Sequence, residues 1–151
     1  MSIFETSNNN PKKQGDIGEA MAIYQLTKAG YTVSIPICDS AKYDLIVELG
    51  GVMLRVQVKT SRYRIKSGNY EFNLATSFSN TARTTRVNRE KEDYDALFCA
   101  GCSGDFWFVP EASISSKKSV VMGTKYTAFK NKVYSNGRRY SSFTNNIKVG
   151  S

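Results

Sequence analysis

Histidine is absent from this chain. That absence removes Ser-His-Asp and Cys-His nucleophilic catalysis, histidine-ligated zinc hydrolases, and any site built on an imidazole base. Chemistry here has to rest on carboxylates, lysine, tyrosine, thiols or bound metal ions. Cysteine is scarce as well: Cys38, Cys99 and Cys102 are the only three. Cys99 and Cys102 form a CxxC pair, but zinc normally takes four ligands, and only one further cysteine is available. The pair lies in the apolar segment 96–102, which reads as a buried strand, so these are expected as core thiols. An odd number of cysteines fits a reducing compartment. No apolar run approaches the roughly 20 residues that span a bilayer. The N-terminus lacks a basic-then-apolar signal layout, so a cytoplasmic protein with no membrane partner is expected.

Positive charge is what the chain has in excess. The net charge is +8, and it is unevenly spread. Residues 1–59 hold six Lys/Arg and six Asp/Glu, whereas residues 60–151 hold fifteen and seven. All of the excess therefore belongs to the later part of the chain. Such asymmetry favours a polyanionic partner, nucleic acid above all. A basic surface kept for solubility is the plainer explanation. At 151 residues the chain has the length of one ordinary domain.

Residues 1–13 are polar and read as a flexible segment, leaving 14–151 as a single domain. A helical pattern opens at Asp16 and runs to about Ala29, with Ile17, Ala20, Met21, Tyr24 and Lys28 on one face. Gly30 suits its C-terminal stop. Residues 31–37 read as a short strand interrupted by Pro36. Tyr43–Leu49 and Val52–Lys59 are two strong strand patterns flanking Gly50-Gly51, a pair that signals a tight hairpin. A further strand is expected around Tyr70–Ala75, followed by a polar stretch from Thr76 to Arg89 with no clear apolar period. Asp95–Gly101 and Asp105–Val109 read as another hairpin turning near Ser103-Gly104. A short helical turn follows at Pro110. The tail from Ser115 is basic and rich in Tyr, Ser and Asn. Its Arg138 and Arg139 suit phosphate contacts or plain surface equally.

The hairpin at 43–59 carries the informative constellation. With Gly50-Gly51 as a two-residue turn, Leu49 pairs with Val52 and Asp44 with Gln57. One face then collects Tyr43, Leu45, Val47, Leu49, Val52, Leu54, Val56 and Val58, which belongs to the core. The other face collects Asp44, Ile46, Glu48, Met53, Arg55, Gln57 and Lys59. Asp44 and Gln57 would have Cβ atoms about 5 Å apart, close enough to hold one metal ion. Lys59 follows on the same face, and Glu48 and Arg55 are diagonal neighbours able to pair. An ordinary amphipathic hairpin with a solvated polar face is the alternative. Against it stand Gln57 and Lys59 in a valine-rich strand, facing an aspartate at the same height.

A helix carrying Glu19, then Tyr43-Asp44-Leu45, then Gln57-Val58-Lys59 resembles the signature of the PD-(D/E)XK nucleases, with Gln57 where the usual residue is acidic. The closest resemblance is to group I intron-encoded homing endonucleases with a Gln-x-Lys variant. It rests also on Gly15-Asp16-Ile17, on residues 54–61 (LRVQVKTS), on residues 83–89 (RTTRVNR), on Asp93-Tyr94-Asp95 and on residues 106–110 (FWFVP). It runs from about Gly15 to Pro110; the tail matches poorly. The resemblance implies an α/β restriction-endonuclease-like core, a mixed central β-sheet flanked by helices. It implies a sequence-specific endonuclease of double-stranded DNA, dependent on Mg²⁺ with Mn²⁺ as a substitute. Asp44, Gln57 and the Val58 carbonyl would hold the metal, with Glu19 and Lys59 completing the catalytic set. Arg62, Arg64, Lys66, Arg83, Arg86, Asn88 and Arg89 would contact DNA. One such site cuts one strand, so a homodimer or homotetramer is implied, in a bacterial, organellar or phage-infected host. Alternatives are a Holliday-junction resolvase or restriction-type nuclease of the same fold, a catalytically degenerate DNA-binding module, and an unrelated small basic domain that binds RNA.

Overall fold

The structure is a computed structural model that describes residues 1–38, 40–79 and 82–133. Arg138 and Arg139 lie outside the described residues. Helix α1 spans Pro11–Lys28. It starts earlier than the apolar periodicity suggests, because Asn10 caps it: the Asn10 side chain accepts from the Lys12 and Lys13 N–H groups, and Pro11 takes the first helical position. Residues 1–13, expected as a flexible segment, contribute to the packing instead. Phe4 is fully buried, and a 3-10 turn at Glu5–Ser7 leads into the cap. Of the face read from the sequence, Ile17 and Met21 pack against the core. Gly18, Ala22 and Leu26 point inward, whereas Ala20 and Tyr24 are exposed. Gly18 explains the choice: a Cβ there would collide with Cγ2 of Thr60, so the glycine lets α1 press directly onto the sheet.

The strands are β1 (Thr32–Ser34), β2 (Leu45–Leu49), β3 (Val52–Ser61), β4 (Glu71–Asn73), β5 (Thr76–Ser79), β6 (Thr84–Val87), β7 (Ala96–Gly101), β8 (Phe106–Pro110) and β9 (Ser119–Val121). The central sheet runs β1-β2-β3-β7-β8, with β3 and β7 parallel and the other pairs antiparallel. A mixed sheet of an α/β fold is thus as expected. The hairpin register matches as well: Leu49 pairs with Val52 and Leu45 with Val56, around Gly50 and Gly51, both at positive φ. The β7–β8 hairpin and the 3-10 turn at Glu111–Ser113 also agree with expectation.

The sheet has two cores because both faces are covered. On the first face, Leu45, Val47, Leu54, Val56, Phe98 and Phe108 meet Ala22 and Leu26 of α1. On the second, Leu97, Cys99, Trp107 and Val109 meet Tyr70, Phe72, Val120 and Tyr126. Strand β7 is buried at every residue, which is why its side chains read as a continuous apolar run. The second cover is not a helix layer: the small β4–β9 sheet and the 3-10 helix Thr124–Phe129 supply it. Tyr43 packs toward this second core, not the first where alternation placed it, because regular β2 geometry begins only at Leu45. Arg55 pairs with Asp95 at 3.0 Å instead of Glu48, and Glu48 accepts from the Gly51 N–H. Among the described residues, no helix is long and apolar enough to cross a membrane.

Candidate active site

The second face changes character along β3. Beside the apolar core the same face presents Arg55, Gln57 and Lys59, and Asp44 stands opposite at the mouth of β2. The Asp44 N–H donates to the Val56 carbonyl, which carries the ladder one residue beyond β2. Its carboxylate oxygen Oδ2 accepts from Gln57 Nε2 and from the Val58 N–H, both at 2.8 Å. Gln57 Nε2 also lies 3.3 Å from the Val58 carbonyl oxygen. One amide nitrogen, carrying partial positive charge, therefore sits between the carboxylate and the carbonyl that sequence reasoning assigned to a metal ion.

Electrostatics sharpen this picture. Burial pushes the Asp44 carboxyl above the usual aspartate range, while the Val58 N–H and the Lys59 ammonium oppose the rise. Glu19 is raised as well, by burial first and then by the charges of Asp44 and Asp16. Lys59 is pulled below the usual lysine range by burial, against the favourable field of Asp44 and the influence of Cys99. The charge of Asp44 thus disfavours ionisation of Glu19. The donor set is all oxygen: the Asp44 carboxylate, the Val58 carbonyl, and the Gln57 carboxamide oxygen if that group turns over. Hard divalent cations of the Mg²⁺ type prefer such donors. Among the described residues no cluster of three or more His, Cys, Asp or Glu is present, which excludes a histidine- or thiolate-rich centre there.

Asp44, Gln57 and Lys59 line a cavity of about 260 Å³. At about 30 Å³ per water that is room for a phosphodiester group and several waters. Lys42, Thr76, Asp93 and Tyr94 share its wall, and none of these was singled out as functional from the sequence alone. Tyr94 is the most unusual of them: its hydroxyl is buried without a hydrogen-bond partner among the described residues. Asp93-Tyr94-Asp95 had only the resemblance as its signal. Glu19 is not part of this wall; it comes from α1, on the other side of the sheet.

The expected DNA contacts divide sharply. Lys66, Arg83, Arg86 and Asn88 are exposed. Arg62 is exposed but engaged: it donates to Gln14 Oε1 at 2.8 Å and to the Phe4 carbonyl at 2.6 Å, holding the N-terminal segment. Arg64 lies over the Tyr70 ring at 4.0 Å and donates to the Gly68 carbonyl and the Tyr70 hydroxyl. Arg89 departs from expectation. It is buried, ion-paired to Glu111 at 2.7 Å, and donates to the Ser116 and Ile114 carbonyls, each at 2.9 Å. Its guanidinium is an internal tie, so the arginine-rich stretch ends at Asn88 as a surface feature. Cys99 is buried and Cys102 half-buried, free of disulfides, with Cys102 3.3 Å from the Tyr70 hydroxyl. Cys38 is exposed.

Comparisons with known proteins agree with this fold. The PD-(D/E)XK endonuclease family model matches residues 9–143. A stretch of 47 residues is 45% identical to Protein 5.3 of Escherichia phage T7, covering 31% of this chain and 40% of that protein. The chain thus spans less than half of the phage protein's length. The solved structure of the bacterial homing endonuclease I-Ssp6803I superposes with a TM-score of 0.70 at 24% identity, over 95% of this chain and 99% of that one. At that identity the likeness is one of fold.

Proposed function

The chain belongs to the PD-(D/E)XK endonuclease family, and from that premise we propose a Mg²⁺-dependent, sequence-specific endonuclease of double-stranded DNA, of the homing type. The observation that carries this reading is the convergence of Asp44 Oδ2 and the Val58 carbonyl on one amide nitrogen of Gln57, with Lys59 next on the same face. Mg²⁺, or Mn²⁺ in its place, would be held by Asp44, by the Val58 carbonyl and by the Gln57 carboxamide oxygen. Bound there, the ion supplies Lewis-acid stabilisation of charge on the phosphate and makes water more acidic.

The protein's own groups do the rest. Lys59, held at a lowered proton affinity by burial, contacts the attacking water or the charge growing on the phosphate oxygens. Glu19 orients a water from the helix side or helps hold a second ion. Gln57 leaves the site one negative charge short of an acidic-x-Lys site, which would weaken its hold on a divalent cation. The products are a 5′-phosphate and a 3′-hydroxyl. Lys66, Arg83, Arg86 and Asn88 grip the duplex, with Arg62 and Arg64 offering what remains of their guanidinium edges. A single site of this kind cuts one strand, so double-strand cleavage takes a homodimer, and a long target a homotetramer.

The test is incubation with a supercoiled plasmid library in Mg²⁺ or EDTA, beside Asp44→Ala and Lys59→Ala variants. Discrete cuts that need Mg²⁺ and vanish in both variants are expected. Intact plasmid with salt-sensitive binding would sink the reading for linear duplexes; a four-way junction cut by the same preparation would point to a resolvase.

A further inference from the structure

Strands β5 and β6 form a two-stranded ribbon separate from both other sheets. All four residues of β6 are exposed, Val87 among them at 42%. A lone pair of strands is marginal on its own, so the ribbon depends on its base. There Leu74 is buried and its N–H donates to the Lys118 carbonyl, while Arg89 is clamped to Glu111, Ile114 and Ser116. Both feet of the ribbon are thus fixed to residues 111–118. Thr76 and Arg89, at those feet, also line the cavity that holds Asp44, Gln57 and Lys59. The ribbon therefore rises from the rim of the candidate active site.

Its chemistry is one-sided. Residues 72–89 contain three arginines and no aspartate or glutamate. Arg86 and Asn88 share a groove of about 510 Å³ with Asn73, Lys118 and Glu71. Arginine and asparagine are the side chains whose donors and acceptors match guanine O6/N7 and adenine N6/N7. Two residues apart on an extended chain, they stand roughly 7 Å apart, about two base-pair steps. Paired strands are about 4.8 Å apart, and with side chains the ribbon is roughly 10 Å across. That width fits a major groove of about 12 Å and is too great for a minor groove of about 6 Å.

We propose that the β5–β6 ribbon lies in the major groove of the DNA duplex beside the cleavage point, with Arg86 and Asn88 reading base edges about two base pairs apart. The inference rests on the DNA-endonuclease reading above and adds the mode of recognition to it. Lys118 faces the same groove and suits a backbone phosphate. Arg89 takes no part in reading; it holds the reader at a fixed height above the scissile phosphate.

The test is selection of bound duplexes from a random library in EDTA by wild type, Arg86→Ala, Asn88→Ala and Lys118→Ala, with dimethyl sulfate interference on the selected site. Binding is read separately from cleavage, so a failure of catalysis and a failure of this inference remain distinct. Arg86→Ala is expected to lose preference at one position and Asn88→Ala at another about two base pairs away, each by roughly 10- to 100-fold. Lys118→Ala weakens binding evenly across sequences. Guanine N7 methylation at the Arg86 position blocks wild type and no longer matters to Arg86→Ala. Unchanged base preferences in both variants, or interference confined to adenine N3 in the minor groove, would overturn the proposal.

Discussion

In the β2–β3 hairpin Leu45, Val47, Leu54 and Val56 are fully buried, whereas all four residues of β6 in the β5–β6 hairpin are exposed. Both are antiparallel pairs, yet they obey different constraints. In the first, a slip of one residue would turn the slipped strand's apolar set into water and carry Glu48 or Arg55 toward the core, so its register is fixed. That fixed register brings the Asp44 carboxylate to Gln57 and Val58. In the second, burial does not dictate side-chain choice on β6, and its positions are open to whatever a partner requires. Burial supplies the precision that catalysis needs, and solvation supplies the freedom that recognition needs.

Substitutions that separate the two hairpins test this contrast. The largest effect belongs to Lys59→Ala, expected to lower single-turnover cleavage by about 10³-fold. Because burial already disfavours the Lys59 charge, the same variant should unfold at an equal or higher denaturant concentration. A parallel fall in stability would show that Lys59 is structural.

Next come the supports of each hairpin. Leu54→Ala under β3 is expected to cost about 3 kcal/mol in chemical denaturation. Arg89→Met at the foot of the ribbon should cost about 3 kcal/mol as well, since Glu111 is left half-buried without its partner. It should also blur base preference while leaving the Asp44 site assembled.

Gln57→Glu is a smaller change, expected to lower the Mg²⁺ concentration at half-maximal activity by about tenfold as a charge is restored beside Asp44. Mg²⁺ titration of cleavage checks it, and an unchanged midpoint would remove Gln57 from the ion's ligands. Smallest of all is Val87→Thr on the ribbon, expected to move stability by less than about 0.5 kcal/mol. A loss comparable to that of Leu54→Ala would reveal a hidden packing partner and collapse the contrast.

The same difference governs what was legible in the sequence. The β2–β3 register and the Asp44–Gln57 juxtaposition were readable because one buried face imposes a period of two, and the β7–β8 hairpin because strands buried on both faces give continuous apolar runs around a polar turn. The stretch from Thr76 to Arg89 shows no such period, β6 being exposed throughout, and so reads as a polar loop. Arg89 sits in the same arginine-rich run as Arg83 and Arg86. Only the partner Glu111, 22 positions further on, distinguishes an internal tie from a surface charge, and no local pattern encodes it. The helix start was marked by Asn10-Pro11, a capping signal obscured by the polar residues around it. The inward place of Gly18 and Ala22 was not legible because they pack by being small, where apolar periodicity looks for bulk.

The parallel pairing of β3 with β7 has one more consequence. Partners such as Val56 and Ala96 are 40 residues apart, and the ribbon hangs within the intervening excursion. Closing such an excursion has an entropy that grows only logarithmically with its length, about 0.6 kcal/mol for each doubling. The tip of the ribbon can therefore lengthen, shorten or change composition with little penalty to the sheet on either side. If the ribbon reads DNA as proposed, a lineage of such chains can acquire new targets by redrafting a few residues of this excursion, while the β2–β3 hairpin remains as it is.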